Sequence, residues 1–163
     1  MDIGTSIISI LGIGILIGPF VLSAVRQGRN SKSLYQELKS MVGRVDCSIG
    51  QSEVCNNKII GLDTNRNFIF FFKRLNGNSI SSEIKLNELD SCTLSKKVQT
   101  FQKGSSTDTY INQITLNFTF KNKAQAPIIW ILFDFKEENQ ISDELVWGKR
   151  WETEINKIVK DKI

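Results

Sequence analysis

The run from Ile3 to Val25 holds 23 residues without a single charged side chain. A bilayer core is roughly 30 Å thick, and about 20 apolar residues of helix cross it. The run is therefore long enough to span, and it predicts a transmembrane anchor over residues 1–25. Its polar members are Thr5, Ser6, Ser9 and Ser23. Their hydroxyls can bond carbonyls of the preceding turn, so they cost little in lipid. A cleavable secretory signal fits less well, because it calls for a positive n-region and a shorter apolar stretch. The one early charge here is Asp2, which is negative.

The flanks predict orientation. No Lys or Arg precedes the run, whereas Arg26, Arg29, Lys32 and Lys39 follow it closely. Positive flanks stay on the cytoplasmic side. The expectation is a cytoplasmic (inner) membrane protein with its N-terminus outside and residues 26–163 inside. Gly14 and Gly18 form a GxxxG pair, with Gly12 nearby. That spacing lets two helix backbones approach closely and can drive association in lipid. Helix packing, including a homo-oligomer, is one reading of the pair. The simpler one is that glycine is common in membrane helices. Pro19 marks a kink or the approach to the interface.

The 138 residues that follow suit one domain. All 21 basic residues and all but one of the 17 acidic residues lie there, an excess of five positive charges. Anionic headgroups on the cytoplasmic leaflet can attract such an excess, above all at Arg26, Arg29, Lys32, Lys39 and Arg44. Nucleic-acid binding calls for a denser basic patch with interleaved aromatics, and no such patch occurs, so no nucleic-acid partner is expected. Cys47, Cys55 and Cys92 are odd in number and share no spacing, which suits a reducing cytoplasm better than a disulfide framework. A Cys47–Cys55 bridge belongs to the opposite topology.

Residues 26–32 are polar and read as a hinge. The stretch from Ser33 to Gly43 predicts a short helix, with Ser33 as its N-cap and Gly43 as its stop. Leu34, Leu38, Met41 and Val42 share one face, which suits docking on the domain better than lying on the membrane. Residues 44–57 carry Gly50, Ser52, Asn56 and Asn57 and read as turns.

From Lys58 the pattern becomes β. KIIGLDT and FIFFFKRL flank the turn residues NRN, a hairpin signal. SSEIKLNEL alternates, as does the later part of SCTLSKKVQTF. KGSSTD reads as a loop. In YINQITLNFTFK, the residues Ile114, Leu116, Phe118 and Phe120 fall on one face. IIWILFDF is a further, very apolar strand. The period then changes. Ser142 predicts a helix N-cap, with Asp143 and Glu144 in the first turn where the dipole favours acids. Trp147, Trp151, Ile155 and Ile158 make one apolar stripe over 142–161. The tryptophans on that stripe read as core rather than as a ligand platform.

This is an α+β chain: an anchor, a short helix, six or seven antiparallel strands and one closing helix. Such a sheet must bury a face, and a bent sheet or open barrel plugged by the terminal amphipathic helix does so. The order resembles a pleckstrin-homology-like domain. IIGLDTNRNFIFFF, IKLNELDSCTLSK, WILFDF and the tryptophan-bearing helix are similar to small bacterial membrane-anchored proteins carrying such a domain, over roughly Lys58 to Ile163. The resemblance implies a strongly bent seven-stranded sheet with a C-terminal helix closing one corner. It does not imply inositol-phosphate binding. Members with that property cluster Lys and Arg around the first hairpin, whereas this neighbourhood offers Lys58, Arg66, Lys73 and Arg74. Lys73 and Arg74 can equally be a solvated strand end.

The domain organisation expected is an anchor at 1–25, a juxtamembrane hinge and short helix at 26–57, and a pleckstrin-homology-like domain at 58–163.

The sequence holds no histidine, which removes the usual imidazole base, the Ser/His/Asp triad and most zinc sites. No phosphate-binding glycine loop occurs outside the apolar run. Glu137 and Glu138 read as solvated turn residues, and Cys92 as a core thiol. No catalytic residue, cofactor or metal ligand is expected. The function expected is a non-enzymatic, membrane-anchored interaction module facing the cytoplasm. It would offer a sheet edge or groove to a protein partner, or sit as an accessory subunit in a membrane complex through Gly14 and Gly18. The alternative is a sensor of anionic lipid surfaces through its basic juxtamembrane region.

Overall fold

The computed structural model describes residues 30–43, 47–63, 65–75, 77–103 and 106–161. The Ile3–Val25 run, with Gly14 and Gly18, lies outside them, as do Arg26, Arg29 and Arg44. Among the described residues no helix is long and apolar enough to cross a membrane.

The described part of helix α1 covers residues 30–43. Strands follow at β1 Gln51–Cys55, β2 Lys58–Asp63, β3 Phe68–Arg74 and β4 Ser79–Lys85, then β5 Leu89–Lys103, β6 Ser106–Phe120 and β7 Ile128–Asp134. Helix α2, Glu144–Lys160, closes the chain. The first four strands form one antiparallel sheet in sequence order, and the last three form a second. The chain is thus an α+β domain of two antiparallel sheets and a C-terminal helix.

The sheets face each other across one core. Trp130 of β7 stacks on Phe71 of β3 at 5.0 Å and meets Phe118 of β6 edge-on at 4.4 Å, so three aromatic rings join the two sheets. Ile114, Leu116, Phe118 and Phe120 are all buried, as their alternation predicts. From α2, Trp147, Trp151, Ile155 and Val159 enter this core. Val159 replaces Ile158 at the end of the predicted stripe, because four-residue steps keep it over the sheet; Ile158 is half-buried beside it.

Strands β2 and β3 are buried on both faces. Ile60, Leu62, Ile69 and Phe71 face the main core, while Ile59, Phe70 and Phe72 pack under Leu34, Leu38 and Val42 of α1. The short helix therefore docks on the sheet, as its apolar face predicts. Gly61 makes the approach close: a Cβ there would stand 2.6 Å from Leu38 Cδ2.

Several boundaries differ from the sequence reading. Helix α1 already includes residue 30, so Ser33 lies inside it, where its hydroxyl accepts a hydrogen bond from Arg74 Nη2 at 3.0 Å. Residues 51–55, read as turn, form β1 and pair with β2 in full register from Gln51↔Leu62 to Cys55↔Lys58. The sheet thus starts before Lys58, and β1 is short enough to hide its alternation among turn residues. KGSSTD is mostly strand, since β5 runs to Lys103 and β6 starts at Ser106. At α2 the N-cap position is Asp143 rather than Ser142, and its side chain makes no capping bond. Instead Glu144 reaches back, its Oε2 accepting the Ser142 N–H at 2.8 Å.

Candidate functional site: a groove between β1 and α2

Strand β1 lies at an edge of its sheet, and among the described residues β2 is its one strand neighbour. One row of its backbone groups therefore has no strand partner. Helix α2 runs past this edge but packs chiefly on β5 and β6. The gap between them is an open groove of about 900 Å³. Its walls are Gln51, Ser52 and Glu53 on the strand and Leu145, Val146, Lys149 and Arg150 on the helix, with Trp151 at its base. Val146 is 62% exposed, an unusual position for a large aliphatic side chain on an otherwise well-packed helix. A second hollow of about 350 Å³ continues the groove along Val54 and Cys55 toward Ser142. Arg150 reaches across and pairs with Glu53, dividing the two parts. Both side chains of this bridge are substantially solvated, so it can open at small cost.

The opposite side of α2 treats a sheet edge in another way. Strand β5 is one edge of the second sheet. Asn156 Oδ1 accepts the Cys92 N–H at 2.9 Å, and Asn156 Nδ2 donates to the Cys92 carbonyl at 2.7 Å. Glu152 Oε1 accepts the Leu94 N–H at 2.8 Å. Two helix side chains thus stand in for a neighbouring strand and close this stretch of β5. Among the described residues the β1 edge has no such cover.

At the end of the groove lies a buried ion cluster. Lys58 Nζ sits 2.9 and 2.7 Å from the two Glu138 oxygens and 3.7 Å from Glu144 Oε1. Lys73 Nζ sits 2.5 Å from Glu137 Oε2 and 3.9 Å from Glu138 Oε1. Asn56 Nδ2 donates to Glu144 Oε1 at 2.5 Å. Lys58, Lys73 and Glu144 are fully buried. This corrects two sequence readings: Lys73 is not a solvated strand end, and Glu137 and Glu138 are not simply solvated. Long-range partners 64 and 80 residues apart neutralise one another here, and no local pattern announces such pairs. Both lysines of the first hairpin are therefore committed to carboxylates rather than presented to an anion.

Arg74 is half-buried and fastens α1, donating to Ser33 and, at 3.4 Å, to Asn30 Oδ1. Lys32 and Lys39 are exposed on α1. Beside the cluster, burial pushes the Cys55 thiol up to about 12, and the Glu144 charge adds to the effect. Cys92 is raised to about 12, first by burial and then by Glu152. Both are protonated at neutral pH and so are poor nucleophiles. Cys47, Cys55 and Cys92 form no disulfide with one another. Among the described residues no group of three or more Cys, Asp or Glu side chains is arranged to hold a metal ion.

Among the described residues these features define a small α+β domain with one covered and one uncovered sheet edge beside its closing helix. No protein family, curated protein or solved structure matches the chain.

Proposed function

We propose that this chain is a membrane-anchored, non-enzymatic interaction module whose pleckstrin-homology-like domain faces the cytoplasm and receives an extended segment of a partner protein in the β1–α2 groove. The support for the fold assignment is the arrangement of four strands, three strands and a C-terminal helix. The observation that carries the function is the β1 edge, uncovered among the described residues, beside a helix wall that presents Leu145 and Val146. An added strand would gain main-chain hydrogen bonds from β1, and its alternate side chains would meet Leu145 and Val146. The five residues of β1 offer roughly 17 Å of edge, enough for a short linear segment. Such a module works as an accessory subunit or adaptor, concentrating its partner at the membrane that the Ile3–Val25 run enters.

The test is purification of the full-length chain in mild detergent, with co-eluting proteins identified, for the wild type and Val146→Asp. A stoichiometric partner that the variant loses, at unchanged melting temperature, is the expected result. Absence of any stoichiometric partner, or equal retention by the variant, refutes the groove as the docking site.

The alternative, attraction of the basic stretch Arg26 to Arg44 to anionic lipid, draws support from Lys32 and Lys39. Both stay exposed while the apolar face of their helix is docked. On that reading, binding to anionic vesicles falls steeply with salt.

A further inference from the structure

The β5–β6 hairpin is longer than the sheet it belongs to. Strand β7 pairs with β6 only from Phe118 to Gln113, ending at Asp134. Beyond that point β5 and β6 continue as a two-stranded ribbon, paired from Val98↔Ile111 to Lys103↔Ser106. Phe135 braces its root, donating its N–H to the Asn112 carbonyl at 2.9 Å and packing on the Tyr110 ring at 4.8 Å. Six residue pairs at about 3.3 Å each make an arm of roughly 20 Å.

The arm projects from one identifiable pole of the domain. It leaves where β7 ends, and the segment after β7 carries Glu137 and Glu138, which bond Lys73 and Lys58. Those lysines mark the start of β2 and the end of β3. Asn30, the first described residue of α1, donates to the Asn56 carbonyl in the β1–β2 turn at 3.1 Å and accepts from Arg74 at the end of β3. The arm and Asn30 therefore share a pole. Only residues 26–29 separate Asn30 from the apolar run, a reach of at most about 18 Å. If that run is the anchor, this pole faces the bilayer, within the length of the arm.

The surface of the arm suits that neighbour. Phe101 is 60% exposed and Val98 47%. Val98 pairs with Ile111 and Phe101 with Asp108, three residues apart along the ribbon, so the two apolar side chains emerge on opposite faces. A single protein surface would cover one face, whereas a lipid interface surrounds both. Lys96, Lys97, Lys136 and Lys32 are exposed around the same pole, and Asp108 is the one acid on the described part of the arm.

We infer that the β5–β6 arm is a second membrane contact, inserting Phe101 and Val98 among the headgroups of an anionic leaflet while the surrounding lysines meet the lipid charge. The arm would hold the domain in one orientation over the bilayer and leave the β1–α2 groove open to the cytoplasm. The inference rests on the membrane-anchor part of the proposed function.

The test reconstitutes the full-length chain in phosphatidylcholine vesicles with or without phosphatidylglycerol. A photoactivatable benzoylphenylalanine replaces Phe101, or Ile129 as a control. Ile129 is equally exposed but lies at the opposite end of β7. Several-fold more lipid adduct at Phe101 than at Ile129, enhanced by phosphatidylglycerol and reduced by high salt, is expected. Equal adducts at the two positions, or adducts joining two protein copies, overturn the inference. Alkaline carbonate extraction separates the two failures. A chain released from the vesicles removes the anchor reading and this inference with it. A chain retained without Phe101 adducts removes the inference alone.

Discussion

Lys58 and Lys73 are direct cross-strand partners on β2 and β3, and both are buried. Two like charges side by side in a protein interior destabilise it unless opposite charges share the space. Glu138 touches both ammonium groups, at 2.7 and 3.9 Å, while Glu137 and Glu144 each face one. Glu138→Gln should cost about 3 kcal/mol, because it leaves Lys58 underpaired where water does not reach. Converting Lys58 to Met in the same chain should restore a large part of that loss. Thermal melts of the full-length chain in detergent check both statements. A melting temperature unaffected by Glu138→Gln would show that the carboxylates do not act as partners.

Acid should weaken the fold through Asp63. Desolvation acts to raise this carboxyl, but the N–H groups of Ser48, Arg66 and Asn65, with help from Cys47, outweigh it and hold the pKa below the ordinary carboxylate value. A depressed folded pKa contributes stability that is complete above the unfolded value of about 3.9 and is lost as pH falls through the folded value. Melting temperature should therefore drop as pH is lowered below about 4. Asp63→Asn should be less stable at pH 7 and show a shallower acid limb. Parallel acid limbs in the two proteins would contradict this.

Gly148 sits in the second turn of α2, where alanine would ordinarily gain about 1 kcal/mol of helix propensity. A Cβ there would stand 2.7 Å from both Leu94 Cδ1 and Leu132 Cδ1. Overpacking of that kind costs about 1–3 kcal/mol, so Gly148→Ala should be destabilising on balance. Leu94→Val in the same chain should relieve part of the clash. Urea midpoints of the three proteins decide the sign.

Asn156 covers the β5 edge with two hydrogen bonds to Cys92. Asn156→Ala should cost about 2 kcal/mol by leaving a backbone N–H and carbonyl short of partners. It should also raise concentration-dependent association, since an uncovered edge strand can pair with another copy. Light scattering at matched fractions folded measures the second effect. Asn156→Asp, which keeps an acceptor but loses the donor, should fall between the two.

The elements that local pattern determined are those whose signal repeats along the chain. The alternation of Ile114, Leu116, Phe118 and Phe120 marked β6 and its buried face, and the four-residue spacing of Trp147, Trp151 and Ile155 marked the inner face of α2. The docking face of α1 was legible in Leu34, Leu38 and Val42 for the same reason. Strand β1 was not, since five residues flanked by turn formers carry too few periods to read, and pairing with β2 is what holds them extended. The β1–α2 groove, the ion cluster at its end and the Asn156 cover on β5 were decided by tertiary structure alone. Each joins residues tens of positions apart, Lys58 to Glu138 or Cys92 to Asn156, and a contact made across the fold leaves no period in the sequence to be recognised.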